Sequence, residues 1–324
     1  MENTDTCLSY YVGIDLGATT TDIGIVDNKG NIVARKSFNT RTHSDVCCYA
    51  DDLYKVTEEL AKTVGGISNV TAVGIGAPGV NREGEIAHNQ NLPWKMPVPL
   101  AAIVRERFSV PVTIDNDANA AAAGELIYGA ARGMKNFITI TLGTGVGSGI
   151  VCDGKILRGH RGLGGELGHL TMRHTNARMC ACGKIGCLEA YCSATGMART
   201  AREWLANDSN RETLLRDITP EHITPRDVYD AAVKGDTLAR EIFDFTGGML
   251  GEALAEFMNI SDPEAFVLFG GLTKSGNLLL APVKDSYQRH LMPLWRRYET
   301  KILLSTLPGA DAAILGAAAL AAHG

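Results

Sequence analysis

The densest chemistry in the sequence lies between positions 169 and 187. His169, Cys180, Cys182 and Cys187 place one imidazole and three thiols within nineteen residues, the donor set of a tetrahedral zinc site. Buried thiols can also be plain small hydrophobes. Cys-x-Cys followed by Gly183 and Gly186 is hard to explain that way, because the glycines let the backbone wrap an ion. Four protein ligands leave no position open for a reactive water, so the expected zinc is structural. His174 and Cys192 stand outside the tight turn, and Cys7, Cys47, Cys48 and Cys152 show no partner pattern. Glu166 and Glu189 bracket the segment with the carboxylates that a polar small-molecule site uses.

Two glycine turns offer phosphate-binding chemistry. In Asp15-Leu16-Gly17-Ala18-Thr19-Thr20, glycine lets backbone N–H groups approach phosphate oxygens, and the threonine hydroxyls add donors. Asp15 can hold a Mg²⁺-bound water beside the β- and γ-phosphates. Such strings are common at hairpins, so this turn is a weak signal alone. Gly143-Thr144-Gly145-Val146-Gly147 supplies a second turn, and two together make a two-sided clamp. The second run also looks like a dinucleotide fingerprint, but it leads into a strand and lacks the helix that fingerprint requires. Asp115-Asn116-Asp117 precedes an alanine-rich helix former, and an Asn/Asp N-cap explains it sufficiently. It also places Asp117 as a base at the carboxyl end of a strand. A helix N-terminus is expected to keep that carboxylate ionised, and phosphoryl transfer asks little more of a base than orientation and late proton acceptance.

These residues need strands to hold them. Short apolar runs at 11–15, 22–26 and 32–34, joined by Gly and Asn turns, predict a hairpin meander. Helical spacing of Val46, Tyr49, Leu53, Val56 and Leu60 predicts an amphipathic helix over 46–64. A buried strand at 70–75 ends in Gly76-Ala77-Pro78-Gly79, and a helix at 99–108 leads to a strand at 110–114. The meander then recurs at 137–140, 149–151 and 156–157, with Gly143 falling on Gly17, which suggests two similar domains. Residues 195–260 read as mostly helical, broken near Pro220 and Pro225. A buried strand at 265–269 ends in Gly270-Gly271, and an alanine-rich helix spans 311–323. Trp94, after Asn91-Leu92-Pro93, reads as a core residue before a ligand-stacking one.

Composition sets the outer bounds. At 324 residues the chain has room for two domains. A net charge of −5 argues against a nucleic-acid or membrane surface. The first residues are acidic where a secretory signal carries Lys or Arg, and the apolar run 312–322 is too short to span a bilayer. Clustered cysteines point to metal ligation in a reducing cytoplasm, not to a disulfide framework.

Taken together, IDLGATTTDIGI, GIGAPGV, NLPW, DNDANAAAAGE, TLGTGVGSGIV, GHRGLGGELGH, CACGKIGCLE, VLFGGL and DAAILGAAA resemble the ROK family (repressors, open reading frames and sugar kinases) over nearly the whole chain. The resemblance implies an α/β, actin-like ATPase (ribonuclease H-like) fold of two domains with an interdomain cleft. Residues 1–117 and 305–324 would form a discontinuous first domain, and 118–304 a larger domain carrying the zinc loop. By the same resemblance Asp117 takes the proton from a sugar hydroxyl. Asn116, Glu166, His169 and Glu189 hold the sugar, and Gly79 and Asn91 line its pocket. His169 turns one ring nitrogen to zinc and the other to the sugar. Asp15, Gly17, Thr19, Thr144 and Gly145 take the phosphates, with Thr20, Gly143 and Gly147 in the same turns, and Gly270 and Gly271 lie on the adenosine side. Asp115 stands where many relatives carry Glu.

The activity implied is ATP- and Mg²⁺-dependent phosphorylation of a hexose in the cytoplasm, by a homodimer with structural Zn²⁺. Asn91-Leu92-Pro93-Trp94 resembles the glucokinases more than the fructokinases, so glucose ranks ahead of mannose, allose, N-acetylmannosamine and N-acetylglucosamine. The reading from a different class is a sugar-sensing protein without turnover. The intact Asp117 and both phosphate turns argue against it, and a first strand starting by residue 11 leaves no room for the helix-turn-helix of family repressors.

Overall fold

The computed structural model describes residues 9–87, 91–309 and 311–323; Cys7 falls outside them. β1 (Tyr10–Leu16), β2 (Thr20–Asp27) and β3 (Ile32–Asn39) form the expected antiparallel meander. Its second turn is fixed by the Asp27 carboxylate, which accepts from the amides of Lys29 and Asn31 at 2.9 and 2.8 Å. β4 (Val70–Gly76) pairs parallel with β1, and β5 (Val112–Asp115) parallel with β4. The sheet order is β3-β2-β1-β4-β5. As an edge strand β3 needs little buried surface, so it continues to Asn39, past the apolar run at 32–34.

Helices cover this sheet. α1 (Val46–Ala61) buries Tyr49, Leu53 and Leu60, and its first amides are capped by the Asp45 carboxylate. Residues 62–64 finish in a 3₁₀ turn that ends on left-handed Gly65. α2 (Leu100–Arg105) is shorter than its pattern suggested. α3 (Asp117–Ile127) starts directly after β5 and buries Ala118, Ala120, Ala122 and Ala123, whose small side chains permit close packing.

The second sheet contains β6 (Phe137–Leu142), β7 (Val146–Cys152), β8 (Lys155–Ile156), β9 (Ala265–Phe269) and β10 (Lys301–Leu304), ordered β10-β9-β6-β7-β8. Taken from its other end, this order repeats the first sheet strand for strand. The duplication read from the meanders therefore extends to all five strands. Between β8 and β9 lie α4 (Glu189–Cys192), α5 (Ala194–Asn207), α6 (Pro225–Val233) and α7 (Thr237–Ser261). Pro225 starts α6 instead of breaking it: Thr224 and Asp227 form a capping box around it. α8 (Asn277–His290) precedes β10, and α9 (Ala312–His323) packs on β1, β4 and α3.

The contacts divide the chain into two units, residues 1–134, 149–165 and 306–324 in one, and 135–148 and 166–305 in the other. Among the described residues no helix is long and apolar enough to cross a membrane.

Candidate active site

In the first unit the strand register gathers the acids. Asp15 of β1 pairs with Gly76 of β4, and Gly76 pairs with Asp115 of β5. The carboxyl ends of three neighbouring parallel strands thus line up the Asp15–Thr20 turn, the Gly76–Gly79 turn and Asp115-Asn116-Asp117. The last triplet is shaped by its cap. Asn116 Oδ1 accepts from the Asn119 amide at 2.7 Å, worth about 1 kcal/mol to helix α3, and Asp117 becomes the helix's first residue.

Asp117 is reachable by solvent at its surface yet is crowded by protein on most sides, and the crowding raises its pKa above the ordinary carboxylate value. The hydrogen bond from the Ala118 amide at 2.8 Å opposes that rise without cancelling it. The helix N-terminus, expected to favour the ionised form, is thus opposed by burial. Loss of water outweighs the helix end, because the terminal dipole amounts to only about half a charge. Asp15 is pushed up to about 6, first by burial, then by the charges of Asp117 and Asp22. An acid raised in part by the charge of a neighbouring carboxylate, as Asp15 is by Asp117, suits a cation or a proton in transit.

The Asp15–Thr20 turn is held from below by residues that the motif does not contain. Thr40 Oγ1 donates to Gly17 O at 2.9 Å, and the Thr40 amide donates to Thr19 O at 2.8 Å. A hydroxyl has one proton. Thr40 must therefore accept from Thr21 at 2.9 Å, and Thr21 from Tyr49 at 3.1 Å. Burial keeps the Tyr49 proton in place by pushing its pKa well up. The Tyr49 ring packs on Trp94, centroids 4.8 Å apart, and Trp94 Nε1 donates to His43 O at 2.9 Å. Trp94 is core, as its residue type suggested. Gly79 carries a φ of 71°, as its place in a tight turn requires, and Asn91 lies exposed just before buried Leu92. Residues 88–90 lie outside the described set.

In the second unit the ligand atoms of His169, Cys180, Cys182 and Cys187 lie within 4.8 Å of one another. Cys182 and Cys187 sulfurs are 3.7 Å apart, and Cys180 Sγ is 3.7 Å from His169 Nδ1. Tetrahedral zinc with bonds of about 2.3 Å needs edges of about 3.8 Å, so this donor set fits. Without a cation, burial pushes the Cys180 thiol up to about 12. The loop closes on itself through Cys180 N to Lys184 O and Gly183 N to Cys180 O. Gly186 takes a φ of 82°, and a side chain there would strike Arg173 O. Cys192 is excluded from the set, being buried against Thr246 O. His169 Nε2 faces the other way, 3.9 Å from Glu166 Oε2.

Glu189 is more deeply engaged than its place beside the loop suggested. Its Oε1 accepts from Cys180 Sγ at 3.3 Å and its Oε2 from the Val146 amide at 3.0 Å. It joins the cysteine loop to the second glycine turn. That turn is also held by the start of α5, through Ala194 N to Gly143 O at 2.8 Å and Thr195 Oγ1 to Thr144 O at 2.9 Å. Within the turn the Gly143 and Gly147 amides are taken by Gly145 O and Thr141 Oγ1. Among the described residues the Thr144 and Gly145 amides remain as donors for phosphate. Gly147 therefore shapes the turn instead of contributing its N–H.

Beside this turn, and still within the second unit, is a cavity of about 390 Å³ with mostly apolar walls. It brings Gly271 to Gly143 and Thr144, and adds Tyr229, Phe243 and Lys274. Nothing in the sequence marked those three, because they come from α6, α7 and the turn after β9. Arg178 was equally hidden. It is buried behind the cysteine loop, with Nη2 2.6 Å from Glu203 and its guanidinium 4.8 Å from the Tyr191 ring centre, and it anchors the loop on α4 and α5.

Comparison with known proteins places these features. The model of the ROK family matches residues 11–323. A glucokinase of Halalkalibacterium halodurans is 37% identical, with 88% of this chain and 87% of that protein aligned. A glucokinase of Thermotoga maritima is 35% identical over 95% and 96% of the two chains. A crystal structure of a ROK family glucokinase from Streptomyces griseus, in complex with glucose and AMPPNP, superposes with a TM-score of 0.79 at 33% identity, covering 98% of this chain and 100% of that one. A xylose repressor of Caldicellulosiruptor bescii is 29% identical, with 95% of this chain and 77% of the repressor aligned. The duplicated sheets are those of the actin-like ATPase fold, and the chain belongs to the ROK family.

Proposed function

We propose that this protein is an ATP-dependent hexose kinase whose acceptor is glucose and whose base is Asp117. The observation that carries the reading is the alignment of Asp15 with Asp115, two residues before Asp117, at the carboxyl edge of one parallel sheet, with Asp15 and Asp117 both raised above the ordinary carboxylate pKa. A base held above the usual carboxylate range is better matched to a neutral operating pH. The glucokinase relatives and the glucose and AMPPNP complex of the Streptomyces griseus protein support both substrates.

Asp117 orients the acceptor hydroxyl and takes its proton as the phosphoryl group arrives, with Asn116 holding the turn. Asp15 stands where it would hold a Mg²⁺-bound water, and such a cation would neutralise charge developing on the phosphates and relieve the repulsion between the two acids. The Thr144 and Gly145 amides and the first glycine turn take phosphate oxygens, and the cavity beside Gly271 takes the adenine. Glu166, His169 and Glu189 hold the sugar, and His169, Cys180, Cys182 and Cys187 hold a structural zinc that keeps His169 and Glu189 in register. A homodimer in the cytoplasm fits the family.

The test is ADP release with glucose, mannose, allose, N-acetylmannosamine and N-acetylglucosamine, each with ATP and with polyphosphate. Fastest turnover with glucose and ATP is expected. Sugar binding without turnover of any of them would favour the sensing role of the repressor relatives.

A further inference from the structure

We propose that Arg158 is a positioning residue for the base, acting through Asp115; the inference rests on the kinase reading of Asp117. Asp115 is the last residue of β5, and its carboxylate is almost wholly enclosed, with the side chain 5% exposed. Its two oxygens have different tasks. Oδ1 accepts from the Asn116 amide at 2.8 Å and from Asn119 Nδ2 at 2.7 Å. Oδ2 accepts from Arg158 Nε at 2.6 Å. Asn116 Oδ1 in turn caps the Asn119 amide. Arg158, Asp115, Asn119 and Asn116 therefore form a closed set of bonds around the peptide that leads into Asp117.

That set determines where the base points. Beside the backbone bonds of Ala77 N to Asp115 O and Ala120 N to Asn116 O, the Asn116 amide and the α3 cap are side-chain constraints on the link from strand to helix, and Asp115 holds one directly and the other through Asn119. An enclosed carboxylate tolerates this only while its second oxygen is also satisfied. Arg158 supplies that partner from the far end of the β8 connection. Its own place is secured by the Gly164 amide, which donates to Arg158 O at 2.9 Å. With Arg158 removed, Asp115 Oδ2 must turn toward water, Oδ1 moves with it, and the Asn116-Asp117 link shifts. A displacement of about 1 Å at a reacting group costs about a hundred-fold in rate.

The experiment compares Arg158→Met, Arg158→Lys, Asp115→Asn and the double variant Arg158→Met/Asp115→Asn in steady-state turnover with glucose and ATP, with thermal unfolding followed in parallel. Arg158→Met should lower kcat about ten- to a hundred-fold and leave both KM values within about two-fold, since Glu166, His169, Glu189 and the phosphate turns keep their ground-state contacts. Arg158→Lys should recover part of kcat, because one ammonium hydrogen can still reach Oδ2. The double variant should be no slower than the slower single one, because both changes break the same link. If Arg158→Met does not fold, the Lys and Asn single variants make the same comparison of kcat with KM.

A higher KM with kcat retained would make Arg158 a ligand contact and overturn the inference. So would multiplicative losses in the double variant, or an unchanged kcat. Wild-type protein that releases no ADP with any hexose overturns the kinase reading and this inference with it; turnover by the wild type separates the two failures.

Discussion

Gly145→Ala tests the link between the cysteine loop and the phosphate turn. Gly145 has no left-handed φ, so alanine fits its backbone, and any effect must come from the added carbon. That carbon would sit 2.4 Å from Glu189 Oε2. A carbon–oxygen contact relaxes at about 3.4 Å, so the carboxylate must retreat by about 1 Å. It cannot do so freely, because Oε2 holds the Val146 amide. The 3.0 Å bond to Val146 is lost. A hydrogen bond to a charged group contributes about 1.5–3 kcal/mol, and half-exposed Glu189 belongs at the low end, which is roughly a ten-fold effect. Gly143→Ala is the control: a side chain there meets nothing within 4 Å, and its φ is also ordinary. Glucose affinity by calorimetry should fall about ten-fold in Gly145→Ala and stay near wild type in Gly143→Ala. Equal affinities in the two variants, both at the wild-type level, would refute the argument that Glu189 is held in place by this turn.

Three further outcomes follow from the site. Asp117→Asn should keep glucose binding while kcat falls about 10²- to 10⁴-fold, the usual contribution of a general base; near-normal turnover removes Asp117 from that role. Asp15, raised from 3.8 to about 6, binds its proton more tightly folded than unfolded, so its ionised form costs stability above about pH 6 and that cost fades toward pH 4. Asp15→Asn should therefore melt higher than wild type at pH 7.5 but not at pH 4, with lower turnover, and the wild-type kcat/KM should fall as pH drops through about 6. A lower melting temperature for Asp15→Asn at pH 7.5 contradicts the sign. Cys182→Ser removes one ligand of four and should lower the zinc content of purified protein from about one per chain and weaken glucose binding. Wild-type protein without zinc on metal analysis would rule out the staple.

Most of the fold was legible because its signals are local. Alternating apolar runs and Gly–Asn turns specify each meander, and their recurrence specifies the duplication without reference to distant contacts. The cysteine cluster was legible for the same reason, since its ligands sit on one short loop. α8 and β10 were not. α8 carries Pro282 in its interior, and β10 is only Lys301–Leu304, a length at which register with β9 decides strand formation. At Asp117 local reasoning weighed the helix terminus and could not weigh burial, which raises its pKa.

The sequence by itself determined the chemistry on offer: the four soft ligands, the two glycine turns, the acid triplet and the strand periods that carry them. Tertiary structure decided how those groups are held and tuned. It aligned Asp15 with Asp115 across parallel strands, placed Tyr49, Thr21 and Thr40 beneath the first turn, and tied Glu189 to Val146. It also put Arg158 against Asp115, forty-three positions away. Motif spacing records which donors and acceptors exist, whereas charge state and orientation depend on burial and on partners that only the packed chain brings within hydrogen-bond reach.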